Sequence, residues 1–148
     1  MRNAIALATT LMLCACSVPV GPIAGSKLEG TPAEWPDDWS FSERHENFLL
    51  ETNSKDPYSV TVWAVDVDGE LYITAVSPEN QWVKNLQMDP FVVIALDGKL
   101  YSGRAHVISD QQEMANVGKR YGTKYEMSAD EGASIIDEGG IIYRLSPR

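Results

Sequence analysis

The chain has 148 residues, which is the size of one domain, and its 44% hydrophobic and 9% aromatic content suffices for a packed core, so a wholly disordered chain is excluded. A net charge of −9 without clustered Lys and Arg argues against a nucleic-acid binder, because phosphate contacts need such clusters. Beyond the N-terminus, no stretch is long and apolar enough to span a bilayer as a helix.

Met1-Arg2-Asn3 forms a short positive n-region, and Ala4 to Leu13 an apolar h-region too short for a transmembrane helix. Leu13-Cys14-Ala15-Cys16 then resembles a bacterial lipobox. Such a motif has an aliphatic residue three before the cysteine and a small one just before it, and Leu13 and Ala15 meet both needs for Cys16. Cys14 has the bulky Leu13 immediately before it. Residues 1–15 are therefore expected to be a lipoprotein signal peptide, with Cys16 as the acylated first residue of a membrane-anchored chain. An ordinary secretory peptide cut nearby is the alternative. Ser17 stands where an Asp would be the usual inner-membrane signal, which points to the periplasmic side of the outer membrane. Both cysteines lie in this segment, so acylation of Cys16 leaves no disulfide and no thiolate metal site.

Residues 16–38 are rich in Pro, Gly and small residues without periodicity, the pattern of a flexible linker. The folded domain is expected over 39–148, with Trp35, Trp39 and Phe41 covering one end of its core. The paired acids Asp37 and Asp38 read as a solvated domain edge. Glu46 to Thr52 reads as a first strand, and Asn53 to Pro57 as a turn. Val60 to Val67, with a phase change near Ala64, is a β-branched run. Asp68-Gly69 turns it back into Leu71 to Ala75, the sequence signature of a type I′ hairpin.

Pro78 to Leu86 predicts a short helix with Trp82, Val83 and Leu86 on one face. Phe91 to Leu96, Asp97-Gly98 and Leu100 to Val107 repeat the hairpin. Ser109 is placed to cap a helix over Asp110 to Tyr125, with Met114, Val117, Tyr121 and Tyr125 on one face, weakened or broken by Gly118 and Gly122. Met127 to Gly140 is acidic and irregular, and Ile141 to Leu145 closes the chain as a strand. The sum is a mainly β protein with short helices: six mostly antiparallel strands, more readily a barrel than an open sheet because closure removes exposed edges.

Trp82-Val83-Lys84-Asn85-Leu86-Gln87-Met88-Asp89-Pro90-Phe91-Val92 resembles the segment after the third strand in the pyridoxamine-phosphate-oxidase-like split β-barrel superfamily. Gly98 to Ala105 is similar to that superfamily's next strand, and Leu145 to Arg148 to its closing strand. The similarity runs over roughly residues 46–148. It implies a six-stranded antiparallel split β-barrel, a homodimer, and in the flavin-binding members an FMN cradled by the second and third strands and the bridging helix. On that reading Lys84 is the phosphate candidate. Ser59, Thr61, Thr74 and Asn85 would hydrogen-bond the cofactor, and Trp63 or Trp82 would stack on its ring. One departure stands out: many FMN-binding members carry adjacent Arg and Lys where this chain has Asn80-Gln81-Trp82.

Each of these residues also has an ordinary structural role open to it. Trp82 suits the core side of its helix, Lys84 a solvated face, and Thr61 and Thr74 suit strands on propensity alone. Arg104 reads as the partner of an acidic neighbour. His45 and His106 are far apart, and no Ser-His-Asp order or phosphate-cradling Gly loop is present. Two functions therefore stay open: an FMN-dependent oxidoreductase, in which the cofactor does the chemistry, and a non-enzymatic binding or structural envelope lipoprotein that keeps the fold without flavin.

Overall fold

The computed structural model of the chain describes residues 19, 23–128 and 139–148; the expected signal peptide, Cys16 and most of the acidic stretch after Met127 lie outside them. In chain order the elements are β1 (Thr31–Ala33), a 3-10 helix (Ser40–Arg44), β2 (Phe48–Thr52), β3 (Tyr58–Val62), β4 (Ala64–Val67) and β5 (Glu70–Ala75). Then come α1 (Gln81–Met88), β6 (Phe91–Leu96), β7 (Lys99–Val107), α2 (Gln111–Lys124) and β8 (Ile141–Pro147).

Two Asp-Gly pairs set the hairpins. Asp68 and Gly69 sit at φ 53° and 85°, Asp97 and Gly98 at 50° and 72°, the left-handed pairs that a type I′ turn demands. They join β4 to β5 and β6 to β7 as antiparallel neighbours. The full order is β3-β2-β6-β7-β8-β5-β4, antiparallel throughout, with β1 parallel to β7. Consecutive strands β3 and β4 thus sit at opposite ends of this path, separated in sequence only by Trp63. The sheet has to curl until its two edges meet at that corner, and no ladder joins them among the described residues. That is a split barrel. The phase change near Ala64 is this corner, which divides one expected strand into two. With β1, it brings the strands to eight rather than six.

The interior holds Trp39, Phe48, Leu50, Leu71, Ile73, Ile94 and Leu145, closed at one end by Trp82, Val83 and Leu86 of α1. The alternation along β6 and β7 sends every second residue there. α1 ends because Pro90 forces Asp89 into extended backbone (φ −142°, ψ 105°). On the outside, α2 lays Val117 and Tyr121 over Val65, Tyr72, Ile108 and Ile142. Its cap is Asp110, whose carboxylate accepts the Glu113 N–H at 2.8 Å; Ser109 was the expected cap. The helix runs through both Gly118 and Gly122, because its apolar face is held by the sheet.

The largest difference concerns the expected linker over 16–38. From Gly25 onward this segment is a strap bonded to the barrel. Gly25 and Ser59 exchange backbone hydrogen bonds, the Leu28 N–H donates to the buried Glu51 carboxylate, and Leu28 is itself buried. β1 then pairs with residues 99–101 of β7, in line with β8, which pairs with residues 103–107. Trp35 and Trp39 meet edge to face at 5.0 Å, and Trp39 is 1% exposed. Residues 25–38, rich in Pro, Gly and polar side chains, still fold here because the barrel supplies their partners.

Candidate functional site

The seven residues named from sequence do not gather into one pocket. Ser59 is fully buried beneath the strap, and its hydroxyl has no partner among the described residues. Asn85 is buried on α1, donating to Thr52 Oγ1 at 3.0 Å and accepting from Gln81 at 2.9 Å. Trp82 is buried against Tyr143. Thr74 is half-buried on β5. Lys84 is exposed and bound to Glu79 at 2.8 Å. Thr61 is exposed on β3, and Trp63 at the corner keeps 47% of its surface open. Three of the seven, Thr61, Trp63 and Lys84, therefore remain open to a ligand.

Trp63 is held rigidly. One face of the indole stacks on Tyr125 at 4.4 Å with the planes 10° apart, and Tyr125 stacks in turn on Tyr121 at 5.6 Å. Tyr121 donates to the Trp63 carbonyl at 2.9 Å. Tyr125 accepts from the Ala64 N–H at 3.0 Å and reaches the Glu46 carbonyl at 2.8 Å. Burial pushes the Tyr125 hydroxyl up to about 12, so it stays a neutral donor and acceptor. Lys124, half-buried on the same helix, donates to the Ala64 carbonyl at 2.8 Å and lies 5.0 Å from the Phe48 ring centroid. Desolvation holds its ammonium below the usual lysine range, opposed by the charge of Glu43.

Arg120 completes this corner, pairing with Glu43 and donating to the Asp66 carbonyl at 3.2 Å. Asp66 is 9% exposed, with Oδ2 unpartnered among the described residues. Desolvation first, then the charge of Asp38, raises its carboxyl above the usual range. Sequence periodicity had put Tyr121 and Tyr125 on one helical face, but their hydroxyl roles and that of Lys124 depend on the β3–β4 corner, which no local pattern encodes. The arrangement can present a fixed aromatic face to a planar ligand. Among the described residues, no group of three or more metal-binding side chains could hold an ion.

A second feature lies at the far end of β6. A shallow depression is lined by Thr52, Ser54, Phe91, Val93 and Arg148, among others, and contains none of the seven residues. Arg104, expected to pair with an acid, instead lies over the Phe91 ring at 5.7 Å.

No family model matches the chain, and no curated protein matches it. Solved structures do. A conserved hypothetical protein, Rv2991 from Mycobacterium tuberculosis, superposes with a TM-score of 0.62 at 16% identity, over 78% of this chain and 86% of that one. The chain has the split β-barrel fold. Other split barrels similar to it include HutZ, the heme storage protein from Vibrio cholerae (TM-score 0.58, 16% identity, 73% of this chain and 85% of that one). Also similar is a putative pyridoxamine 5'-phosphate oxidase from Listeria innocua (0.54, 13%, 72% and 86%). The split-barrel likeness read from Trp82 to Val92 is thus borne out in the fold. At these identities the fold is what the likeness carries.

Proposed function

We propose that the protein is a lipid-anchored split barrel on the periplasmic side of the outer membrane that binds a flavin-type cofactor, FMN first, as a homodimer. The observation that carries this reading is Trp63: a half-exposed indole clamped by Tyr125 at the barrel's corner, in a fold shared with a pyridoxamine 5'-phosphate oxidase relative. The residues free to hold the cofactor are Trp63 by stacking, Thr61 by its hydroxyl, and Lys84 by charge toward the phosphate. The Lys84–Glu79 pair is solvent-exposed, and such pairs contribute only about 0–1 kcal/mol, so a phosphate dianion can displace Glu79. Bound FMN would supply hydride or electron transfer to a small molecule; the protein would supply orientation.

A second reading is supported by a specific observation. Asn85 and Trp82, two of the residues the resemblance assigns to the cofactor, are consumed by the core. Together with the missing Arg-Lys pair, this favours a binding or structural envelope lipoprotein that keeps the fold without flavin. Flavin fluorescence decides between them. The full chain in detergent is titrated into FMN and FAD, beside Trp63→Leu and Lys84→Ala variants. Micromolar quenching that both variants weaken supports the flavoprotein. Absence of binding at about 100 μM, weaker than about −5.5 kcal/mol, overturns it and leaves the binding module.

A further inference from the structure

Phe91 at the start of β6 lies opposite Arg104 on β7, and Arg104 lies opposite Ser146 on β8, so the three share the barrel's outer face. Arg148, just past β8, brings its guanidinium carbon to 4.2 Å from the Phe91 ring centroid. Both arginines are exposed, and among the described residues neither guanidinium has an ion pair or a hydrogen bond. Arg44, Arg120 and Arg144 all pair with carboxylates, as expected in a chain with 21 acidic against 12 basic residues.

The nearby acids take their hydrogen bonds from neutral groups, and Arg148 reaches Asp89 only through space. Asp89 accepts from Ser54 Oγ at 2.7 Å and from the Phe91 N–H at 3.2 Å, and Glu51 accepts the Leu28 N–H. Two like charges thus approach one aromatic ring beside a depression that Arg148 and Glu51 line, with no carboxylate hydrogen-bonded to either guanidinium among the described residues. Ser146, whose hydroxyl meets His106 Nε2 at 2.9 Å, adds a polar group on the same face.

We propose that Arg104 and Arg148, oriented by the Phe91 ring, form a binding site for a phosphate-bearing ligand on the outer face of the barrel. A guanidinium lying on a ring keeps the N–H edges of its fork free, and two such forks match the oxygens of one phosphate. A phosphate would bring a counter-charge to both cations, whereas Asp89 acts on Arg148 only through space and no carboxylate is hydrogen-bonded to either guanidinium among the described residues. This site shares no residue with the flavin reading and does not rest on it. The phosphate can belong to a soluble monoester or to a lipid headgroup.

Calorimetry on the full chain in detergent tests this with soluble probes: inorganic phosphate, phenyl phosphate, and glycerophosphoglycerol as a diester headgroup. Saturable phosphate binding is expected that weakens about tenfold or more in Arg104→Ala and in Arg148→Ala, less in Arg104→Lys, and not in Lys99→Ala. Tighter binding of phenyl phosphate identifies a soluble monoester; equal or tighter binding of the diester identifies a headgroup. No binding up to about 20 mM by a chain that circular dichroism shows folded overturns the proposal. So does equal weakening by Lys99→Ala, which would mean unspecific charge attraction.

Discussion

The Trp35 ring occupies the space that a Cβ on Gly103 would need. Beside it the Ser146 carbonyl would lie only 2.8 Å from that atom. The glycine in the middle of β7 is therefore what lets the strap close over the barrel. Gly103→Ala should destabilise the fold by about 1–3 kcal/mol through overpacking, seen as a lower melting temperature. Adding Trp35→Ala should return only part of the loss, because the carbonyl stays in place. A melting temperature unchanged in Gly103→Ala would mean that the strap does not bind there.

Tyr125 ties α2 to both the corner and the segment before β2. Tyr125→Phe keeps the stack on Trp63 but strands the Ala64 N–H and the Glu46 carbonyl. Unfolding in urea should show a loss of about 1–3 kcal/mol, with the Trp63 fluorescence environment retained in the folded state. Loss of the Trp63 signal without loss of stability would show that the hydroxyl positions the ring and nothing more.

Asp66 predicts the sign of a pH effect. Its folded carboxyl titrates above the ordinary value, so between the unfolded and folded values the folded state holds a proton that the unfolded state has released. Asp66 therefore favours folding below its unfolded pKa, and that contribution disappears as the pH rises through the folded value. At neutral pH the buried charge is a cost, moderated by Arg120 and the Gly69 N–H. Asp66→Asn should raise the melting temperature at pH 7 and shrink that gain toward pH 4. A gap that grows toward acid would reverse the argument.

Asn85 separates a structural from a ligand role. Asn85→Ala leaves the Thr52 hydroxyl and Gln81 amide without it inside α1's contact with β2, and should cost about 1–3 kcal/mol whether or not flavin is present. If FMN binds wild type and Asn85→Ala equally once both are folded, Asn85 belongs to the core. A large affinity loss with unchanged stability would return it to the cofactor.

What the chain disclosed on its face follows from range. The two Asp-Gly turns, the Trp82 face of α1 and the α2 stripe are local patterns, and each appears where its spacing puts it. The strap is invisible to such reading. Thr31, Pro32 and Ala33 have no strand periodicity of their own, and their partners lie nearly seventy residues on at Lys99, Leu100 and Tyr101. The candidate site was half legible for the same reason. Trp63 and Lys84 could be named from motif position, but that Lys84 faces Glu79, or that Arg104 lies on Phe91, is decided by tertiary neighbours.

The strap also sets how far the domain can stray. If Cys16 carried an acyl group, a linker free up to residue 38 would let the barrel wander widely about its anchor. The strap is paired with Ser59 of β3 at Gly25, and Pro19 is already buried, so residues 25–38 give the chain no such slack. A pull on the N-terminus would be passed to the sheet itself at the Gly25–Ser59 bridge, instead of being taken up by a loose tether.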